Sequence, residues 1–125
     1  MVAYFGPDPA ATWAGMVAHE ERLQAILLQF LVADDRITII GESSAKQKLR
    51  VPVVSFVVRR VKSQRLVEAV EARSRYGFRS GHMYSHRLLR DVCGLEDVDD
   101  GVVRVSLLHY NTGERIFPAV PLFLA

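Results

Sequence analysis

Residues 51–58 (VPVVSFVV) restrict the fold of this 125-residue chain more than any other segment. β-Branched and aromatic side chains favour extended backbone, and a nearly continuous apolar run is typical of a strand buried on both faces. Pro52 lacks a backbone N–H, so it is tolerated only at the beginning of a strand or at a sheet edge. Residues 36–40 and 102–110 are typical of two further strands, and Phe78-Arg79 of a short one. The sequence therefore predicts a sheet of three to four strands.

A long amphipathic helix is predicted before the first strand. Asp8-Pro9 is a favourable helix start, because aspartate accepts hydrogen bonds from free N–H groups and proline fits the first turn. Apolar residues then recur at three- and four-residue spacing as far as Val32. The side chains of this apolar stripe are Trp13, Met16, Val17, Leu23, Ile26, Leu27, Phe30 and Leu31.

Two shorter helices are predicted in the second half of the chain. Ser63 is a suitable N-cap for the first of them, and Gly77 is a suitable stop. The other helix is predicted over residues 85–93. Its inward-facing side chains are predicted to be Leu88, Leu89 and Val92.

Helices and strands alternate irregularly along the chain, and this order indicates the fold class. Strands that must pair with one another, separated by helices, favour an α+β fold with the sheet covered on one face by helices. The length suits a single domain over residues 1–125. The apolar end of the chain, residues 116–125, contains Pro118 and Pro121 and is not expected to form one regular helix.

The composition narrows the class of protein. A single cysteine, Cys93, excludes an intramolecular disulfide framework and suits a reducing compartment. No apolar run reaches the roughly 18 residues that a membrane-spanning helix requires, and the N-terminus lacks the pattern of a signal peptide. We therefore expect a cytoplasmic protein that makes no membrane contact.

The net charge of +2 hides a strong segregation along the chain. Residues 1–44 carry two basic and six acidic side chains, residues 45–90 carry twelve and two, and residues 91–125 carry two and six. The basic middle segment could attract an anionic partner, or the fold could bring acidic and basic segments together. No basic motif with interleaved aromatic residues is present, so the sequence does not favour nucleic-acid binding.

Three possible reactive sites fail on spacing or context. His82 and His86 stand four apart but lack an HExxH pattern, so no metal site is predicted. The acidic cluster at residues 96–101 does not match the ligand spacing of an EF-hand loop and is better explained as a solvated turn. Cys93 lies in an apolar stretch with no adjacent base, which favours a buried structural thiol.

Two arginines deserve separate consideration. Arg79 opens a polar segment (RSGHMY) that is centred on Gly81, a residue that permits unusual backbone torsions. Arg104 interrupts an otherwise apolar strand (VVRVSLL). An arginine there either faces solvent or holds an anion, and its planar fork suits a carboxylate. From the residues alone, the solvent-facing interpretation is favoured.

With these residues identified, the chain resembles the C-terminal small domain of the class V aminotransferase superfamily. These pyridoxal-phosphate enzymes include cysteine desulfurases and isopenicillin N epimerase-like proteins. The resemblance rests on residues 50–56 (RVPVVSF), 77–82 (GFRSGH) and 103–112 (VRVSLLHYNT). It covers about residues 12–116 and leaves residues 117–125 as a divergent apolar tail.

The resemblance implies roles for individual residues. Arg104 falls where the family's arginine binds the substrate α-carboxylate, and Arg79 and His82 fall on the loop that closes over the active site. Tyr84 stands at the position of the reactive cysteine of the desulfurases. A tyrosine cannot form a persulfide, so the resemblance disfavours cysteine desulfurase chemistry.

The resemblance also implies a partial enzyme. Pyridoxal phosphate is the cofactor of the parent family, and the lysine that carries it belongs to a large domain that these residues do not match. We therefore expect an isolated or truncated small domain that binds an amino-acid-like substrate in a full-length enzyme. Alone it would hold no cofactor and no catalytic residue. The alternative is a non-catalytic interaction module that binds an anionic partner through the basic segment, or a protein partner or a second copy through the apolar tail.

Overall fold

A computed structural model describes residues 7–46 and 48–114 and arranges them as an α+β fold with a four-stranded antiparallel sheet. The strands lie in the order β1-β2-β4-β3. The predicted fold class is confirmed. The elements, in chain order, are α1 (Pro9–Ala33), β1 (Ile37–Ile40), β2 (Val53–Val58), α2 (Ser63–Arg73), β3 (Arg79–Gly81), a π-helical turn (Leu88–Val92) and β4 (Val102–Ser106).

An aspartate flanks the first helix at each end. The Asp8 side chain accepts a hydrogen bond from the Ala11 N–H at 3.0 Å, as the Asp8-Pro9 pair predicts. Past the other end, the Asp34 carboxylate accepts hydrogen bonds from the backbone and the guanidinium of Arg36. These bonds favour the charged form and lower the pKa of Asp34 to about 2. The prediction of a helix over this segment is confirmed.

The main core lies between the helices and one face of the sheet. Strand β2 contributes Val54, Phe56 and Val58, all at most 5% exposed, whereas the residues between them are only half-buried. The prediction that residues 51–58 are buried on both faces was therefore wrong in part. The strand also begins two residues later, at Val53, after Pro52. The members of this core are Leu23, Leu27, Leu28, Leu31, Val54, Phe56, Val58, Leu66, Val67, Val70, Phe78, Val103, Val105 and Leu107.

A smaller apolar cluster occupies the other face of the sheet. Leu89, Val98 and Val102 form its buried centre. The π-helical turn supplies Leu89, whereas its Leu88 and Val92 are exposed, so the prediction that all three face inward was wrong. A hydrogen bond of 3.0 Å from Cys93 N to the Leu88 carbonyl closes this wide turn, which brings one side chain rather than a full helix face to the sheet.

The second helix is capped from a distant part of the chain. Ser63 is its first residue and not its N-cap, which corrects the prediction; Lys62 precedes it without a capping side chain. The Asp100 carboxylate accepts hydrogen bonds from the N–H groups of Ser63 (2.7 Å) and Gln64 (3.3 Å). A carboxylate at this end also interacts favourably with the helix dipole. The helix ends at Arg73, four residues before the predicted stop at Gly77.

Replacing Asp100 with alanine should lower the free energy of unfolding by about 1 to 2 kcal/mol, because two N–H groups at the start of α2 lose their acceptor. Urea unfolding followed by circular dichroism measures the change. Asp99→Ala is the matched control, since Asp99 is a neighbouring exposed carboxylate. An equal loss in both variants would contradict the capping role.

Other strand predictions need smaller corrections. The short strand predicted at Phe78-Arg79 is β3 over Arg79–Gly81, and the strand predicted over residues 102–110 ends at Ser106. The apolar end of the chain, residues 116–125, for which no single regular helix is expected, lies outside the described residues. In the described part, no helix is long and apolar enough to cross a membrane.

Candidate substrate-carboxylate site

A row of four residues crosses the whole sheet and contains both arginines singled out above. Ile40 of β1 is opposite Ser55 of β2, Ser55 is opposite Arg104 of β4, and Arg104 is opposite Arg79 of β3. Directly opposite residues of antiparallel strands place their side chains on the same face. The two guanidinium-bearing residues are therefore cross-strand neighbours.

This row lies on the face of the sheet away from the helices. Side chains alternate along a strand, so Arg104 points away from the main core that holds its neighbours Val103 and Val105. Ser55 is likewise half-buried between the core residues Val54 and Phe56. The two arginines thus share the face of the sheet that carries the smaller apolar cluster.

Arg104 is half-buried, and its Nε atom is shielded from solvent without a hydrogen-bond partner. Within residues 7–46 and 48–114, no carboxylate lies within 4 Å of the side chain of Arg104 or Arg79. Like charges on directly opposite residues of a sheet repel each other. A shielded donor of this kind is costly unless an acceptor satisfies it, so the arrangement favours binding of an anion.

His82 follows directly after β3, and its ring is held by the loop itself. Tyr84 donates a backbone hydrogen bond to His82 Nδ1 at 3.2 Å, which leaves Nε2 as the ring nitrogen that carries the proton. The His82 ring also lies edge-on to the rings of Tyr84 and His86, with centroid distances of 6.5 and 5.7 Å. The Tyr84 side chain is fully exposed.

The backbone of this loop is unusually bent. Gly81 has φ +123°, and the next two residues with positive φ, Met83 (+50°) and Tyr84 (+61°), are not glycines. Left-handed torsions cost of order 1 kcal/mol or more in residues with side chains and occur where the surrounding structure enforces them. The structure therefore holds residues 81–84 in one specific conformation at the end of the strand that carries Arg79.

The loop is held by a turn that the sequence analysis described only as solvated. Gly101 forms a bridge with Gly81. A Cβ atom at Gly101 would lie 2.1 Å from the Gly81 carbonyl carbon and 2.6 Å from the His82 nitrogen. Two glycines in contact thus fix the start of the His82 loop against the turn. Asp100 and Gly101 are the positioning residues that the sequence analysis missed, and their adjacency (Asp-Gly) was the available signal.

The acidic and basic segments of the chain contact each other. Lys62 Nζ pairs with the Asp97 carboxylate, and this contact raises the pKa of the lysine and lowers that of the aspartate. Arg59 donates to the Asp35 carbonyl at 2.9 Å. Part of the basic middle segment is therefore engaged with its acidic neighbours, which is the second of the two interpretations offered above.

The remaining candidate groups do not assemble into a reactive centre in the described part of the chain. No three histidine, cysteine or acidic side chains there could hold a metal ion. Cys93 is a free, half-buried thiol. All three lysines, Lys46, Lys48 and Lys62, are exposed, so none of them lies in an enclosed pocket of this chain.

Comparison with known proteins shows the family to which the chain belongs. The family described as aminotransferase class-V matches residues 10–117. The aminotransferase-like protein FGM3 of Gibberella zeae is 50% identical over 116 residues, which are 93% of this chain and 28% of that protein. The cysteine desulfurase-like protein ustD of Aspergillus flavus is 32% identical over 105 residues, or 83% of this chain and 24% of that protein.

Solved structures show the same fold. A NifS-like protein from Rickettsia africae superposes with a TM-score of 0.69 at 18% identity, over 86% of this chain and 28% of that one. The chain thus spans about a quarter of the length of these proteins. The family match covers nearly all of the described residues, and the solved relative has the same fold. This chain therefore belongs to the class V aminotransferase family.

Proposed function

We propose that the chain is the small, substrate-binding domain of a class V aminotransferase-like enzyme, in which the Arg104 guanidinium binds the carboxylate of an amino-acid-like substrate. The observation that carries this proposal is the half-buried Arg104 with its shielded, unpartnered Nε atom opposite Arg79. A carboxylate would supply the acceptor that Arg104 lacks in the described part of the chain and would offset the repulsion between the two cations.

We propose distinct roles for the neighbouring residues, and their positions in the fold support these roles. Arg79 is exposed and lies one strand further out, so it would meet the same anion from the open edge of the sheet. His82 directly follows β3, the strand that begins with Arg79. Because its Nδ1 accepts the Tyr84 N–H, the hydrogen of the neutral ring is on Nε2 and can be donated to the substrate. These residues would bind and orient the substrate, and none of them is proposed to form a covalent bond with it.

The cofactor is not expected to be held by this chain alone. The family is pyridoxal-phosphate-dependent, and that group supplies an electron sink when it is bound. It needs a lysine in an enclosing site, whereas the three lysines of this chain are exposed and Lys62 is paired with Asp97. The residues present therefore do not fit a cofactor site. We infer that the cofactor and the catalytic groups belong to the part of the enzyme that this chain does not match.

The relatives include both aminotransferase-like and cysteine desulfurase-like proteins, so Tyr84 is the better guide to the class of reaction. The family resemblance aligns Tyr84 with the reactive cysteine of the desulfurases, and a phenol cannot carry a persulfide sulfur atom. We therefore favour epimerase (isopenicillin N epimerase-like), aminotransferase or lyase chemistry over cysteine desulfuration. The cytoplasmic location also stays a prediction, as does the alternative role as an interaction module.

The carboxylate site can be tested on the chain itself by NMR titration with L-alanine as the probe. We expect weak binding, with a Kd of about 1 mM or higher, and shift changes at the Arg104 Nε–H. Arg104→Met should weaken binding at least about tenfold, the usual effect of losing a charged hydrogen-bond partner.

Arg65→Met is the matched control for this titration, since Arg65 is an exposed arginine of α2. It should leave the affinity unchanged. Equal affinity in the parent chain and the Arg104→Met variant would refute the assignment of Arg104.

A further inference from the structure

The two arginines of the sheet carry more positive charge than one carboxylate can neutralise. We propose that the site takes an amino acid with two acidic groups, in which Arg104 binds the α-carboxylate and Arg79 binds the acidic group of the substrate's side chain. Arg79 is then the residue that determines specificity. This inference rests on the proposed function and names the substrate class of that same site.

The charge of the sheet is unbalanced. Its four strands have the sequences ITII, VVSFVV, RSG and VVRVS, which include two arginines and no aspartate or glutamate. Arg79 is directly opposite Arg104, and the residue opposite Arg104 on its other side is the uncharged Ser55. A substrate with one carboxylate would bring a single negative charge to two cations. Because like charges on opposite residues repel each other, a second negative charge would offset the repulsion that remains.

The two guanidinium groups lie at different depths. Arg104 is half-buried with a shielded Nε atom, whereas Arg79 is exposed on the edge strand β3. Neighbouring strands are about 4.8 Å apart, which is comparable to the separation of the two carboxylates in a short dicarboxylic amino acid. A compact anion such as phosphate would have to be shared between an enclosed donor and an open one. The arrangement therefore favours two acidic groups held at two depths.

The surroundings of the row direct the second acidic group toward Arg79. On the other side of Arg104 the row continues with Ser55 and ends at Ile40, which packs against the smaller apolar cluster. A carboxylate directed that way would lose water without gaining a charged partner. Beside Arg79, the next residue on the same face of β3 is Gly81, and a Cβ atom there would meet nothing within 4 Å. Open space and a cation therefore coincide at the edge of the sheet.

The test compares two amino acids of nearly equal shape. L-Aspartate and L-asparagine differ by one negative charge, and NMR titration of the chain near pH 7 gives both Kd values. The ionic strength is matched and low, since salt screens an exposed cation. We expect L-aspartate to bind at least about threefold more tightly, the effect of an exposed ion pair. In the Arg79→Met variant the two affinities should agree within about 1.5-fold, while the affinity for L-asparagine changes by less than about twofold.

Two further variants separate the effect of charge at this position from other effects. Arg79→Lys should retain part of the preference, about twofold, because lysine supplies a point charge without the planar fork. Arg65→Met removes the same charge from the exposed surface of α2 and should leave the preference intact. A preference that is lost equally in Arg65→Met would come from the net charge of the chain and would overturn the role of Arg79.

The outcomes distinguish this inference from the proposed function. Equal affinities for L-aspartate and L-asparagine in the parent chain, both weakened by Arg104→Met, would overturn the second acidic group and leave the role of Arg104 standing. Affinities that Arg104→Met does not change would refute both. Inorganic phosphate that binds more tightly than L-aspartate, and loses this affinity in Arg79→Met, would assign the two arginines to a compact tetrahedral anion instead.

Discussion

Alanine at position 101 is expected to displace the His82 loop and to lower the free energy of unfolding by about 2 to 6 kcal/mol. Two effects add. Gly101 has φ +64°, a left-handed torsion that costs about 1 to 3 kcal/mol in a residue with a side chain. The new Cβ would also lie 2.1 Å from the Gly81 carbonyl carbon, so backbone must move, at about 1 to 3 kcal/mol for overpacking.

Gly94→Ala separates the two effects. Gly94 has nearly the same torsion, φ +67°, but a Cβ atom there would meet nothing within 4 Å. This control should therefore show the torsional cost alone. Urea unfolding gives the two free energies, and amide NMR shifts of Gly81 and His82 should move in the Gly101→Ala variant only. Equal stability and unmoved shifts in both variants would rule out a positioning role for Gly101.

The sequence predicted best those elements that rest on local interactions. The long helix is specified by Asp8, three residues from the N–H that it caps, and by an apolar stripe within one segment. The strand at 53–58 is specified by its own β-branched run. Its burial was overestimated because an apolar run does not reveal how much cover each face receives. That cover comes from the small cluster around Leu89, which is distant in sequence.

The errors concern interactions between distant residues. Ser63 resembles an N-cap, but the acceptor for its N–H is the Asp100 carboxylate, 37 residues later. No local pattern reports that contact. The π-helical turn was predicted as a helix with three inward side chains, since apolar spacing alone does not show that a wide turn delivers only Leu89 to the sheet.

The candidate site shows the same division. Their sequence context singled out Arg79 and Arg104 and the family resemblance implied their roles, but nothing in either segment alone relates one to the other. Their pairing depends on the order of the strands, which places the three-residue strand β3 beside β4 at the sheet edge. The structure therefore adds the juxtaposition of two cations to a list of candidate residues. Their binding role stays a prediction until the titration is done.

Replacing Phe56 with alanine should lower the free energy of unfolding by about 3 to 5 kcal/mol, the usual cost of deleting a buried aromatic ring. Phe56 is 0% exposed and lies opposite Ile39 on one side and Val103 on the other, so the cavity would open at the centre of the sheet. Domains of this size are stable by about 5 to 15 kcal/mol. The variant would therefore lose a large share of its stability.

The Phe56→Ala variant also links the core to the site. Ser55, its neighbour in β2, pairs with Arg104, so loosening of this strand should weaken L-alanine binding in the same urea range in which the variant unfolds. Thr38→Ala, an exposed position opposite Val57 in β1, is the control and should change stability by less than about 0.5 kcal/mol. A Phe56→Ala midpoint equal to that of the control would contradict the placement of the core. Binding that survives after the variant has unfolded would separate Arg104 from the sheet altogether.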